Sequence, residues 1–116
     1  MSIDSRFVVL FHETPAGASR PSHWDLMLEQ GGALRTWALE QEPRSEVSIV
    51  AAALPDHRLA YLDYEGPISG DRGCVTRWDQ GAYRIVAESA HELKVELAGA
   101  RFQGVLKIVI MPDANA

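Results

Sequence analysis

Two short clusters of reactive side chains stand out in this chain: His12 with His23-Trp24-Asp25, and Asp56-His57 with Tyr61. Imidazole, carboxylate and phenol together suit metal-assisted chemistry on phosphate. Residues two apart on a β-strand share a face, so His23 and Asp25 lie about 6–7 Å apart along the backbone. Side chains of that length can converge on one cation, with ligand bonds of roughly 2.0–2.2 Å. His12 ends the preceding apolar run, and the loop between is long enough to bring it alongside. Two neutral imidazoles and one carboxylate leave a divalent cation with a net charge of about +1 and open coordination positions. Such a set suits Mn, Zn or Fe and suits Ca poorly, because Ca prefers oxygen shells.

The elements that must position these residues read as strands. Residues 6–12 (RFVVLFH) are β-branched and aromatic. Residues 13–22 contain Pro15, Gly17 and Pro21 and read as a loop. Residues 23–29 alternate: Trp24, Leu26 and Leu28 share one face, and His23, Asp25, Met27 and Glu29 the other. Gly31-Gly32 gives a hairpin turn into residues 34–39. Residues 46–54 read as a strand ended by Pro55, because Val47, Ile49 and Val50 outweigh the three alanines. Residues 55–72 read as a long ordered loop. Strand runs follow at 74–78, 82–87, 93–97 and 102–111, with Gly81 and Gly99 in turns, and residues 112–116 read as a frayed tail. The expected fold is all-β, a compact antiparallel barrel of about eight strands with little helix. It is expected to form one domain over residues 1–116.

Composition narrows the function. A length of 116 residues allows one core. The net charge of −5 argues against tight nonspecific binding along DNA, which needs many Lys and Arg contacts. A nucleic-acid substrate is then held at an end, over few phosphates, beside a locally positive metal. No apolar run is long enough to span a bilayer, and the first residues lack the basic and apolar regions of a signal peptide. Cys74 stands alone, so no internal disulfide forms and a reducing cytoplasm is the expected setting. Cys74 reads as a small strand residue. Trp24, Trp37 and Trp78 suit core positions better than base stacking. Gly70-Asp71-Arg72-Gly73 reads as a turn and His91 as a surface residue.

The motifs run in a recognisable order: Phe7-Val8-Val9-Leu10-Phe11-His12, His23-Trp24-Asp25-Leu26-Met27-Leu28-Glu29, Gly32-Ala33-Leu34-Arg35-Thr36-Trp37-Ala38, the block from Asp56-His57 through Tyr61 to Tyr64-Glu65-Gly66, and Trp78-Asp79-Gln80-Gly81. Over residues 7–111 this resembles the 3′-phosphoesterase domain of bacterial DNA ligase D, of the end-joining repair system, and its stand-alone relatives. The resemblance implies a β-barrel-like fold. It also implies removal of 3′-terminal phosphates and ribonucleotides from DNA or RNA ends with a divalent metal, typically manganese. His12, His23 and Asp25 would be the metal ligands, His57 would meet the scissile phosphate or its transition state, and Tyr61 would support it. A repair ligase or polymerase encoded separately is the implied protein partner.

The match thins around the phosphate. The family carries an arginine two residues after the metal-binding aspartate, and here that position is Met27. Methionine cannot supply arginine's paired charge-assisted hydrogen bonds. At about 1.5–3 kcal/mol per bond, an uncompensated loss slows a reaction by one or more powers of ten. The family's basic segment after Trp-Ala corresponds here to Leu39-Glu40-Gln41-Glu42-Pro43, with Gln41 in the lysine position, and residues 47–54 hold no arginine. Arg20, Arg58 and Arg72 are loop candidates for the missing phosphate-binding cation, beside His57. The 13–22 loop is longer than the family's equivalent. Weakened or redirected activity is therefore expected, with a small phosphate ester as an alternative substrate. Two further readings stay open: a non-catalytic module holding metal and a nucleic-acid end, and a non-haem iron oxygenase using His23, Asp25 and His57.

Overall fold

The structure is a computed structural model that describes residues 5–111; the tail expected to fray lies outside that range. Eight strands form: β1 (Arg6–Glu13), β2 (His23–Gln30), β3 (Ala33–Leu39), β4 (Ser48–His57), β5 (Gly66–Pro67), β6 (Cys74–Glu88), β7 (Glu92–Gly99) and β8 (Gln103–Met111). The hydrogen-bonded order β1-β2-β3-β4-β8-β7-β6 returns to β1 through a β1–β6 pairing. Seven strands thus close a barrel, and β5 adds outside β6. This is the all-β barrel expected from the alternating runs, with one departure: β4 and β8 run parallel. Gly31 and Gly32 both take positive φ, +65° and +84°, in the two-residue β2–β3 turn that glycine favours.

Three boundaries differ from the sequence reading. β4 does not stop at Pro55 but continues to His57. Its pairing with β3 shifts between Thr36↔Leu54 and Leu34↔His57, so Pro55 falls in an irregularity where its missing N–H costs no ladder bond. Residues 74–88 form one strand, with Gly81 inside it and not in a turn. A Cβ at Gly81 would lie 2.1 Å from the Ala98 carbonyl oxygen, so the glycine serves close backbone approach between β6 and β7. The 55–72 stretch contains a short 3₁₀ turn (Leu59–Leu62) as well as β5.

Both faces of β1 and β2 are buried, for different reasons. The inward face carries Phe7, Val9, Leu26 and Leu28, which join Trp37, Ile49, Leu106 and Ile108 in the barrel core. Trp24 and Trp78 pack at its margin. The outward face carries Val8, Leu10 and Met27, which join Leu34, Leu62 and Val75 in a second cluster. The 58–73 segment covers that outer cluster through Leu62, Tyr61 and Ile68. Glu65 ties the segment to the barrel by accepting the Arg77 amide at 2.6 Å.

The β7–β8 turn is organised by one buried carboxylate. Asp79 Oδ1 accepts the amides of Gln80, Ala100 and Arg101 at 2.9, 2.9 and 3.0 Å, and Oδ2 accepts that of Phe102 at 2.8 Å. Removing a partner from buried donors costs about 1–3 kcal/mol each. Asp79→Ala is therefore expected to destabilise the fold by about 3 kcal/mol or more. A urea titration should show a lower midpoint, with Asp79→Asn falling between the two.

Candidate metal centre

The β1–β2 register sets His12 directly across from His23, and Leu10 across from Asp25. Cross-strand partners share a face, so His12, His23 and Asp25 all stand on the outer surface of one two-stranded ribbon. The two imidazole rings lie 4.9 Å apart between centroids. One donor atom from each of the three residues falls within 4.8 Å of the others, and among the described residues this is the group of three that could hold an ion. β3 places Ala38 opposite Asp25 and Thr36 opposite Met27, so small side chains continue this face toward β4.

Backbone carbonyls orient both histidines. A carbonyl only accepts, so His23 Nδ1 must carry the proton it donates to Pro21 O at 2.8 Å. Likewise His12 Nε2–H donates to Arg72 O at 2.8 Å. In each neutral ring the other nitrogen is then a lone pair. Those lone pairs face the Asp25 carboxylate: His23 Nε2 lies 3.0 Å from Oδ1 and His12 Nδ1 lies 3.5 Å from Oδ2. The 3.0 Å contact is not aligned as a hydrogen bond, and Asp25 Oδ1 is buried with no donor. Two ligand atoms about 2.1 Å from one ion at tetrahedral or octahedral angles are separated by about 3.0–3.5 Å. The donor set, its spacing and the orphaned oxygen therefore fit a divalent cation, with the carbonyls in the orienting role that outer partners play at metal centres.

Arg72 contributes through its backbone. Its guanidinium turns back on Ser69, donating to the carbonyl at 2.7 Å and to Oγ at 3.3 Å. The carbonyl reaches His12 because Gly73 packs against β1; a Cβ there would lie 1.9 Å from Glu13 O, at a φ of +94°. Neither backbone carbonyl could be singled out from sequence. One signal does repeat, however: Pro21-Ser22-His23 and Pro55-Asp56-His57 both place a proline carbonyl two residues before a histidine. His57 Nδ1 donates to Pro55 O at 2.9 Å, as His23 does to Pro21.

A cavity of about 560 Å³ opens over the three donors. His57 lines it from the end of β4, Arg20 from the 13–22 loop, and Arg72 from the 70–73 turn. Leu54 and Asp71, which the sequence did not suggest, line it too. Arg58 and Tyr61 are not brought to this cavity but to a smaller neighbouring one. Tyr61 touches His57 edge-on, with centroids 5.7 Å apart. Met27 sits in the outer apolar cluster at 1% exposure, so no guanidinium emerges from the ribbon beside Asp25.

Asp25 and His12 shift each other's protonation. The Asp25 carboxylate holds His12 above its ordinary value of 6.5, against the opposing effect of burial. Burial pushes Asp25 up, but the imidazole contacts outweigh it and its pKa is lowered. The His12 contribution to metal-free stability is thus complete below pH 6.5 and is lost as pH rises through its folded pKa. In metal-free protein, an NMR titration should place the His12 midpoint above 6.5, and Asp25→Asn should lower it.

The family model for the DNA Ligase D 3′-phosphoesterase domain matches residues 14–110. A multifunctional non-homologous end joining protein LigD of Mycobacterium bovis is 36% identical over 84% of this chain and 13% of its own length. The Mycobacterium tuberculosis multifunctional non-homologous end joining DNA repair protein LigD matches with the same identity and coverage. The LigD protein of Pseudomonas aeruginosa is 36% identical over 53% of this chain and 8% of its own length. The chain thus spans about one-eighth of the length of the mycobacterial relatives. No helix among the described residues is long and apolar enough to cross a membrane. By the family match and by these relatives, the chain belongs to the DNA ligase D 3′-phosphoesterase domain family.

Proposed function

We propose that this chain is a metal-dependent phosphoesterase acting on the 3′ ends of nucleic acid, with activity weakened at the phosphate grip. The observation that carries the metal dependence is the Asp25 carboxylate facing two imidazole lone pairs, one on each oxygen, with its buried Oδ1 undonated. His12, His23 and Asp25 would hold the ion, with Mn the first choice and Zn or Fe alternatives. Bound there, a divalent cation supplies Lewis-acid chemistry toward a phosphate oxygen. His57 faces the same cavity with Nδ1 anchored on Pro55, leaving Nε2 to meet the ester or its leaving oxygen. Arg20 and Arg72 both line the cavity without an ion pair among the described residues, but Arg72's guanidinium is turned back on Ser69, so Arg20 is the preferred phosphate cation. The acidic net charge suits recognition of an end over few phosphates. End joining beside a repair ligase or polymerase, in a reducing cytoplasm, is the setting proposed.

A second reading, metal and end binding without turnover, is favoured by the burial of Met27 where the family has arginine. The oxygenase alternative needed His57 as third ligand, and the third donor in the cluster is His12.

One assay separates the first two readings. The protein is incubated with Mn and a primer ending in a 3′-phosphate or a 3′-ribonucleotide. Turnover should fall by about 100-fold or more in His23→Ala. Met27→Arg, whose apolar stem can stay in the cluster while its head reaches the cavity, should raise turnover about 10-fold. Wild-type metal binding without turnover, with activity gained in Met27→Arg, would establish the binding module.

A further inference from the structure

We infer that Tyr61, Tyr64 and Arg58 form a second subsite that stacks the base of the substrate's 3′-terminal nucleotide. This rests on the proposed action at nucleic-acid ends and adds a base-binding element to it. A chain of rings leads away from the metal cavity: His57 to Tyr61 at 5.7 Å, then Tyr61 to Tyr64 at 5.7 Å, both edge-on. His57 lines the metal cavity, and Tyr61 and Tyr64 line the neighbouring one. The His57–Tyr61 contact joins a wall of the first to a wall of the second, so a nucleotide bound as proposed has its phosphate in the first and its base in the second.

The second cavity has the size and lining for a planar ring. It encloses about 230 Å³ between the 3₁₀ turn and residues 67–69. Tyr64 is 37% exposed, unusual for a large aromatic side chain, yet it is held in place. Its hydroxyl donates to the Pro67 carbonyl, and a Cβ at Gly66 would come within 3.0 Å of that hydroxyl. A fixed, partly exposed ring loses little entropy when a base stacks on it, and stacking tolerates any base. Arg58 supplies the cavity's positive charge; its guanidinium makes no ion pair among the described residues. It is suited to the phosphodiester that links the terminal nucleotide to the rest of the strand.

The test uses two readouts. A 3′-hydroxyl primer ending in 2-aminopurine, titrated with protein in Mg²⁺ buffer, reports stacking without any turnover. Wild type and Tyr64→Phe should quench its fluorescence by about two-fold or more, and Tyr64→Leu, which keeps the bulk without the ring, should not. Turnover of a base-bearing 3′-phosphate terminus should exceed that of an abasic one by about 10-fold, and Tyr64→Leu should bring the ratio close to one. Equal quenching by Tyr64→Leu, or none by wild type, overturns the subsite. Quenching without turnover of either substrate defeats the esterase reading and leaves the subsite standing. Turnover without quenching or base preference defeats the subsite alone.

Discussion

The register between β1 and β2 is the constraint on which the site depends. His12 opposite His23 and Leu10 opposite Asp25 put all three polar donors on one side of the ribbon. Slipping one strand by a single residue would send its donors into the barrel and its core residues outward. That slip is opposed from inside by Phe7, Val9, Leu26 and Leu28, and from outside by Val8, Leu10 and Met27. The same packing that stabilises the barrel therefore sets the spacing of the donors.

Covering the outer face needs a lid, and residues 58–73 provide it. Leu62 and Ile68 pack over the apolar part of the ribbon, while the 70–73 turn ends beside His12 and lends it a carbonyl. Met27 belongs to the covered apolar part, whereas His23 and Asp25 belong to the part left open. Met27 thus extends the dry cluster up to the border with the polar part of the ribbon.

Much of this was legible in the sequence because it is local. Alternation over residues 23–29 separates the His23–Asp25 face from the Leu26–Leu28 face, and Gly31-Gly32 announces the hairpin. Residues 6–12 read as the preceding strand, with His12 brought alongside by the loop; the register that sets it opposite His23 came from the structure. What escaped the sequence depends on distant chain. Pro55 is tolerated in β4 only because of how β3 pairs there, and Gly81 stays within a strand because Ala98 presses against it. The carbonyl of Arg72 has no side-chain signature at all, and that of Pro21 only the proline two residues before a histidine. Asp79, which the sequence placed in the Trp78-Asp79-Gln80-Gly81 motif but gave no task, gathers four amides from two separate stretches. The clustering of His12, His23 and Asp25 was readable; the backbone groups that aim the two rings were not.

The 13–22 loop leaves the barrel directly after β1 and returns directly before β2, with a histidine near each end that the sheet already holds opposite its counterpart. Its length is therefore decoupled from how the two histidines face one another. Insertion or deletion before Pro21 can redraw the entrance while His12, His23 and Asp25 keep their spacing. Chains with the same three side chains on this ribbon can in this way diverge in what they admit.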